Sequence, residues 1–175
     1  MELTPSELTV LGLIVERPRH GYDLEQVIAE RGIRQWTDIG FSSIYYLLTK
    51  LEKRGLVRVS QAPAGAKSRR VFQATSAGRE AATRNALALI AEPRVVPHPL
   101  LVGVANLPLL SEREYTEALC TRLAQIEARI TAVEEAERAQ SALAPAAREV
   151  FSYSLSLLEA ERSWLAARVE VPDAD

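Results

Sequence analysis

The stretch that decides the fold runs from residue 44 to residue 60, IYYLLTKLEKRGLVRVS. Wound as a helix, it puts Ile44, Leu47, Leu48 and Leu51 on one side and Ser42, Tyr46, Thr49 and Lys53 on the other, flanked by Ser43, Tyr45 and Lys50. The first set packs inward. The outer set carries hydroxyls and ammonium groups and no carboxylate on its crest, the chemistry that neutralises phosphates and reaches base edges. Tyr45, on the flank of the apolar stripe, either packs its ring with the hydroxyl exposed or joins the outer face, whereas Tyr46 points outward. Gly55 closes the helix as its C′ residue.

After Gly55 the apolar period changes from helical to alternating. LVRVSQ (56–61) and RRVFQAT (69–75) read as two strands of a hairpin joined by APAGAKS. Upstream, TPSE (4–7) is a capping box with Pro5 at the first helical position, and it opens a helix over 5–16 that RPRHG stops. A second helix spans 21–31 and ends at Gly32; a fourth covers 76–91. The order helix, helix, helix, strand, strand, helix is that of a winged helix-turn-helix, with the third helix as recognition helix. The hairpin is then a wing carrying Lys67, Arg69 and Arg70.

Charge separates the chain into halves. The net charge is −2, yet residues 1–90 hold 13 Lys and Arg against 9 Asp and Glu, and residues 91–175 hold 8 against 14. Within 41–70 the ratio is 7 basic to 1 acidic, the footprint of a surface for a polyanion; the bland alternative is a solvated positive face. Two domains are expected, 1–91 for DNA binding and 92–175 helical, separated by the proline-rich break at 93–99.

In the second half, PLLVGVANLPLL (99–110) is short and apolar, and SERE (111–114) is another capping box. Leu119, Leu123, Ile126, Ile130 and Val133 then step by 4, 3, 4 and 3, and after Pro145 so do Val150, Tyr153, Leu157, Ala160 and Trp164 by 3, 4, 3 and 4. These seams pair within one chain or are shared between two. An acidic helical hairpin with leftover apolar surface favours sharing, so the residues of both seams are candidates for a homodimer interface.

Other classes find little support. No apolar run of about 18 residues is present and the start lacks a signal peptide's basic and apolar regions, so a soluble cytoplasmic protein is expected. The single Cys120 excludes an internal disulfide and a multi-thiolate metal cage. No catalytic residue, metal or cofactor is expected, for there is no glycine-rich nucleotide loop and no metal-ligand cluster, and the only histidines, His20 and His98, read as turn and loop residues. A winged-helix module that binds protein instead of DNA is the remaining alternative, and the clustered charge speaks against it.

Taken together, LTPSELTVLGLI, HGYDLEQVI, SSIYYLLTKLEKRGLV and RRVFQATSAGREA resemble the winged-helix domain of PadR-like transcriptional regulators. YTEALCTRLAQIEARI and LEAERSWLA resemble the family's helical dimerisation domain. The resemblance implies a mainly α fold with a small β-hairpin and a homodimeric repressor on inverted-repeat double-stranded DNA, released by a small aromatic or hydrophobic effector. Trp36, His98, Tyr115, Tyr153 and Trp164 are the candidates for an effector pocket. Where the family commonly has proline after the helix tyrosine, this chain has Tyr46.

Overall fold

The computed structural model describes residues 2–40, 43–60, 70–139 and 144–169. It divides into two compact units between Val95 and Val96. In the first, α1 (Pro5–Glu16), β1 (Arg19–His20), α2 (Gly21–Glu30), α3 (Ser43–Lys53), β2 (Val57–Ser60), β3 (Val71–Ala74) and α4 (Ser76–Ala91) follow in order. The sheet is antiparallel with strand order β1-β3-β2.

The sequence signals for the ends of these helices act as expected. Thr4 and Glu7 cap α1 reciprocally, and Gly32 and Gly55 adopt φ of 61° and 70°, a left-handed backbone that glycine enters without penalty. All four inward residues of α3, Ile44, Leu47, Leu48 and Leu51, are buried, with Leu11 and Ile14 of α1 and Leu24 and Ile28 of α2 in the same core. Each such side chain contributes about 1.5–3 kcal/mol relative to exposure.

The hairpin expected from the alternating pattern is one part of a three-stranded sheet. Arg19 and His20 pair with Phe72 and Val71, turning the segment that stops α1 into a strand. Arg19 points inward and is buried; its Nε donates to the Leu13 carbonyl and its Nη2 reaches Glu16. Arg79 of α4 donates to the Val15 carbonyl. Helix α1 has no basic residue in its own last turn, so these arginines supply the C-terminal partners that its orphan carbonyls need.

Glycine is required at position 78 for a different reason. It sits in the first turn of α4, donates its N–H to the Thr75 hydroxyl, and lies so close to the β2 entry that a Cβ there would fall 2.0 Å from the Leu56 carbonyl oxygen. Thr75 meets the same backbone, its hydroxyl donating to Gly55 and its N–H to Leu56.

In the second unit, α5 (Pro99–Ala105) precedes the long helices α6 (Glu112–Arg138) and α7 (Pro145–Val169). The apolar stretch at 99–110, without a helical period of its own, forms α5 and a 3-10 turn. His98 opens α5 by accepting the Leu100 N–H, with Pro99 at the first helical position. Helices α6 and α7 pack antiparallel, and an Arg122–Glu161 ion pair joins the early turns of one to the late turns of the other.

Of the two uses open to the seams, α6 shows the pairing within one chain. Leu119, Ile126 and Ile130 are buried within this chain, with Leu123 and Val133 packed beside them, and what covers them is Leu155, Leu158, Leu165 and Val169 of α7. Saturated by α7, Leu119, Ile126 and Ile130 have almost no area left for a second chain. Helix α7 carries two apolar stripes one residue out of step. The stripe read from the sequence is largely the outer one: Tyr153 is 69% exposed, Leu157 56%, and Val150 also reaches solvent, while Trp164 packs at the hairpin's edge.

The tight seat of Gly78 yields a test. Gly78→Ala is expected to lower the unfolding free energy by about 3 kcal/mol or more, because backbone rather than a movable side chain blocks the new methyl. Urea unfolding of the two proteins measures this, and an unchanged midpoint would contradict the described contact.

Candidate nucleic-acid interface

The outer face of α3 is oriented by a buried carboxylate. Glu7 of α1, 1% exposed, accepts the Thr4 N–H at 2.8 Å and ion pairs at 2.9 Å with both the Lys50 ammonium and the Arg54 guanidinium. Burial alone would push its carboxyl up. The Thr4 backbone N–H, the Lys50 ammonium and the Arg54 guanidinium together outweigh that and hold it at about 2. Arg54 also donates to the Glu2 carbonyl. Lys50 and Arg54 are one helical turn apart, so gripping Glu7 with both turns the opposite crest outward.

That crest presents Tyr45, 62% exposed, Tyr46, 67% exposed, Thr49 and Lys53. Helix α3 runs regularly through Tyr46. The Tyr45 ring lies over Gly21, where a Cβ would come within 2.6 Å of its Cε1, so the glycine of the HGY stretch is what lets α2 and α3 approach. Tyr45 thereby combines the two behaviours open to it, packing along one edge while staying largely exposed. The Thr49 hydroxyl donates to the Tyr45 carbonyl and the Ser43 hydroxyl to the Gly40 carbonyl, which leaves their lone pairs, not their protons, facing outward.

Two of the expected cations prove to be engaged. Lys50 belongs to the Glu7 cluster. Arg70 pairs through Nη2 with both oxygens of Glu52 on α3, at 2.9 and 2.7 Å, and lies over the Phe72 ring. Neither is the free phosphate-neutralising charge that composition alone implies. Lys53 is exposed with no ion pair among the described residues, and Arg58, absent from the sequence-based set, stands on the solvent face of the sheet and donates to Gln73. Its place in the alternating pattern of β2 is the signal that would have found it. Ser42, Lys67 and Arg69 lie outside the described residues.

The candidate effector residues fall in both units. Trp36 is half-exposed in the first unit; the other four belong to the second. His98 caps α5, Tyr115 and Trp164 pack against the helical hairpin with Arg168 over the indole, and Tyr153 sits on the outer stripe. Eleven residues of helix, about 16 Å, separate Tyr153 from Trp164. No helix among the described residues is long and apolar enough to cross a membrane, and no cluster of metal-ligating side chains occurs among them.

A helix-turn-helix with an outward aromatic and basic crest, backed by a three-stranded sheet, defines a winged-helix domain. The profile of the Transcriptional regulator PadR-like family matches residues 10–84, from α1 into α4, somewhat under half of the chain. No curated protein sequence matches the chain. Among solved structures, PadR of Bacillus subtilis in complex with operator DNA superposes with a TM-score of 0.76 at 20% identity, covering 95% of this chain and 98% of that one. The same protein with p-coumaric acid gives 0.76 at 19%, covering 93% and 95%. The Vibrio cholerae virulence activator AphA gives 0.71 at 18%, covering 93% and 95%. At these identities the likeness is one of fold.

Acid titration probes the Glu7 cluster. Because the folded carboxyl titrates below its ordinary value of 4.5, its contribution to stability is complete above that value and is lost as pH falls toward 2. Glu7→Gln is expected to cost about 3 kcal/mol at pH 7 and to remove that part of the acid sensitivity. Urea midpoints of both proteins at pH 7 and pH 3 measure it; equal losses on acidification in the two would refute the assignment.

Proposed function

We propose that the chain is a sequence-specific DNA-binding repressor that acts as a homodimer. The observation that carries this reading is the outward crest of α3, Tyr45, Tyr46, Thr49 and Lys53, fixed by the Glu7 cluster and flanked by Arg58 on the sheet. Hydroxyls and rings on the crest suit base edges and sugars, and the cations suit phosphates. The structure of B. subtilis PadR on operator DNA supports the same use of the same fold.

One recognition helix buries too little for specific binding, so two must enter successive major grooves about 34 Å apart on an inverted repeat. The second unit is proposed as the holder. Its outer α7 stripe, Val150, Tyr153 and Leu157, together with Leu101, Val102 and Leu109 around α5, leaves large apolar side chains in solvent, and a second copy is the partner that would cover them. A small aromatic or hydrophobic effector would release the dimer from DNA by altering the separation of its two α3 helices. The complex of B. subtilis PadR with p-coumaric acid supports that class of ligand. Since AphA is a virulence activator on the same fold, a promoter-reporter assay is needed to give the sign of regulation.

Two outcomes are expected. Lys53→Ala and Arg58→Ala should each lower affinity for operator and random DNA alike and flatten the salt dependence by about one unit per DNA-bound protomer, whereas Tyr46→Ala should lose operator preference. Gel shifts across a salt series read both effects, and unchanged slopes in the two cation variants would refute the interface. Leu157→Lys should yield a monomer by sedimentation and weaken operator binding about tenfold or more while leaving helical content intact; a persistent dimer would exclude the outer stripe as the interface.

A further inference from the structure

Beside the crest lies a cleft of about 350 Å³ lined by His20, Gly21, Tyr22, Tyr45, Thr49, Arg70 and Phe72, where the start of α2, the flank of α3 and the root of β3 meet. We propose that this cleft seats one phosphate of the DNA backbone, with Arg70 as its cation and Glu52 as the counter-ion that holds Arg70 in check until the phosphate arrives. The subsite rests on the DNA-binding reading above and adds to it residues that the crest does not contain.

The donors in the cleft fit an anion. Glu52 contacts Arg70 only through Nη2, and among the described residues the Nε and Nη1 donors have no other partner. The Tyr22 and Tyr45 hydroxyls are exposed and have no hydrogen-bond partner among the described residues. Gly21 and Tyr22 are the first two residues of α2, whose N–H groups lack intrahelical acceptors. His20 is held in place from both sides, its N–H donating to Asp23 and its Nδ1 lying 3.2 Å from the Arg70 carbonyl oxygen. Position decides the kind of anion. Tyr45 and Thr49 belong at once to the cleft and to the crest, so a duplex that receives α3 in its groove brings the bordering backbone against this cleft.

Glu52 gives the site its selectivity. It is the one carboxylate within residues 41–70, and pairing with Arg70 removes a charge that would otherwise attract any polyanion at long range. A phosphate carried to contact by correct docking meets Arg70 with the tyrosine hydroxyls and outcompetes the single-nitrogen pair. Loosely bound DNA does not reach that geometry.

Filter binding of the full-length chain to operator and to random duplex over a salt series tests this. Glu52→Gln is expected to tighten random-duplex binding about threefold to tenfold at low salt and steepen its slope by about one unit per protomer, with a smaller gain on operator. The gain should vanish in Glu52→Gln/Arg70→Gln, a dependence that a merely structural role of Glu52 would not produce. Tyr22→Phe should weaken operator binding severalfold and random-duplex binding little, without changing either slope. If the parent protein binds DNA but Glu52→Gln leaves affinity and slope unchanged, or if its gain persists without Arg70, the phosphate seat is refuted. A parent protein that binds neither duplex overturns the DNA-binding reading itself.

Discussion

A single carboxylate determines how the first unit presents its surface. Taking Glu7 out of water opposes its ionisation, and the fold offsets this with one backbone N–H and two cations, Lys50 of α3 and Arg54 just past its end. The same residue closes the capping box of α1, so one side chain starts one helix and fixes the rotation of another. Rolling α3 about its axis would pull Lys50 or Arg54 away from a buried anion. The crest is therefore held by electrostatics at its rear as well as by Ile44, Leu48 and Leu51 beneath it.

That arrangement changes what the charge of the segment means. Seven basic residues against one acid suggest a broad positive field, yet Lys50 and Arg54 answer to Glu7, and Arg70 answers to Glu52. What is left for a distant polyanion is less than the composition implies. What is left for a polyanion in contact is more ordered, because each engaged cation is held at a defined place. In the proposed DNA-binding reading, affinity at long range and fit at short range thus fall to different residues.

Most of the first unit was legible because its signals are local. The capping box at Thr4, glycines at 32 and 55, and the apolar stripe of α3 each act over short range, and each takes its expected form, as does the capping box at Ser111 in the second unit. Strand β1 escaped notice because two residues have no period; it exists only through its pairing with Val71 and Phe72. Helix α5 escaped because a uniformly apolar heptamer has no polar face to reveal its pitch. On α7 two stripes compete, and spacing alone does not tell which meets α6, since Leu157 and Leu158 satisfy heptads one residue apart. The pairings behind the candidate interface were not legible: Glu7 and Glu52 sit 43 and 18 residues from Lys50 and Arg70, and no local pattern joins them.

The two stripes of α7 differ in what they answer to. Leu158 and Leu165 are committed to the chain's own hairpin, while Val150, Tyr153 and Leu157 hold none of it together. Mutations on the outer stripe are therefore free of the penalty that folding imposes on the inner one. In the proposed dimer, duplicated copies of such a regulator would be able to drift apart along this stripe and cease to recognise one another while each keeps an intact helical hairpin. Insulation between sister regulators then needs only a few exposed positions on one helix.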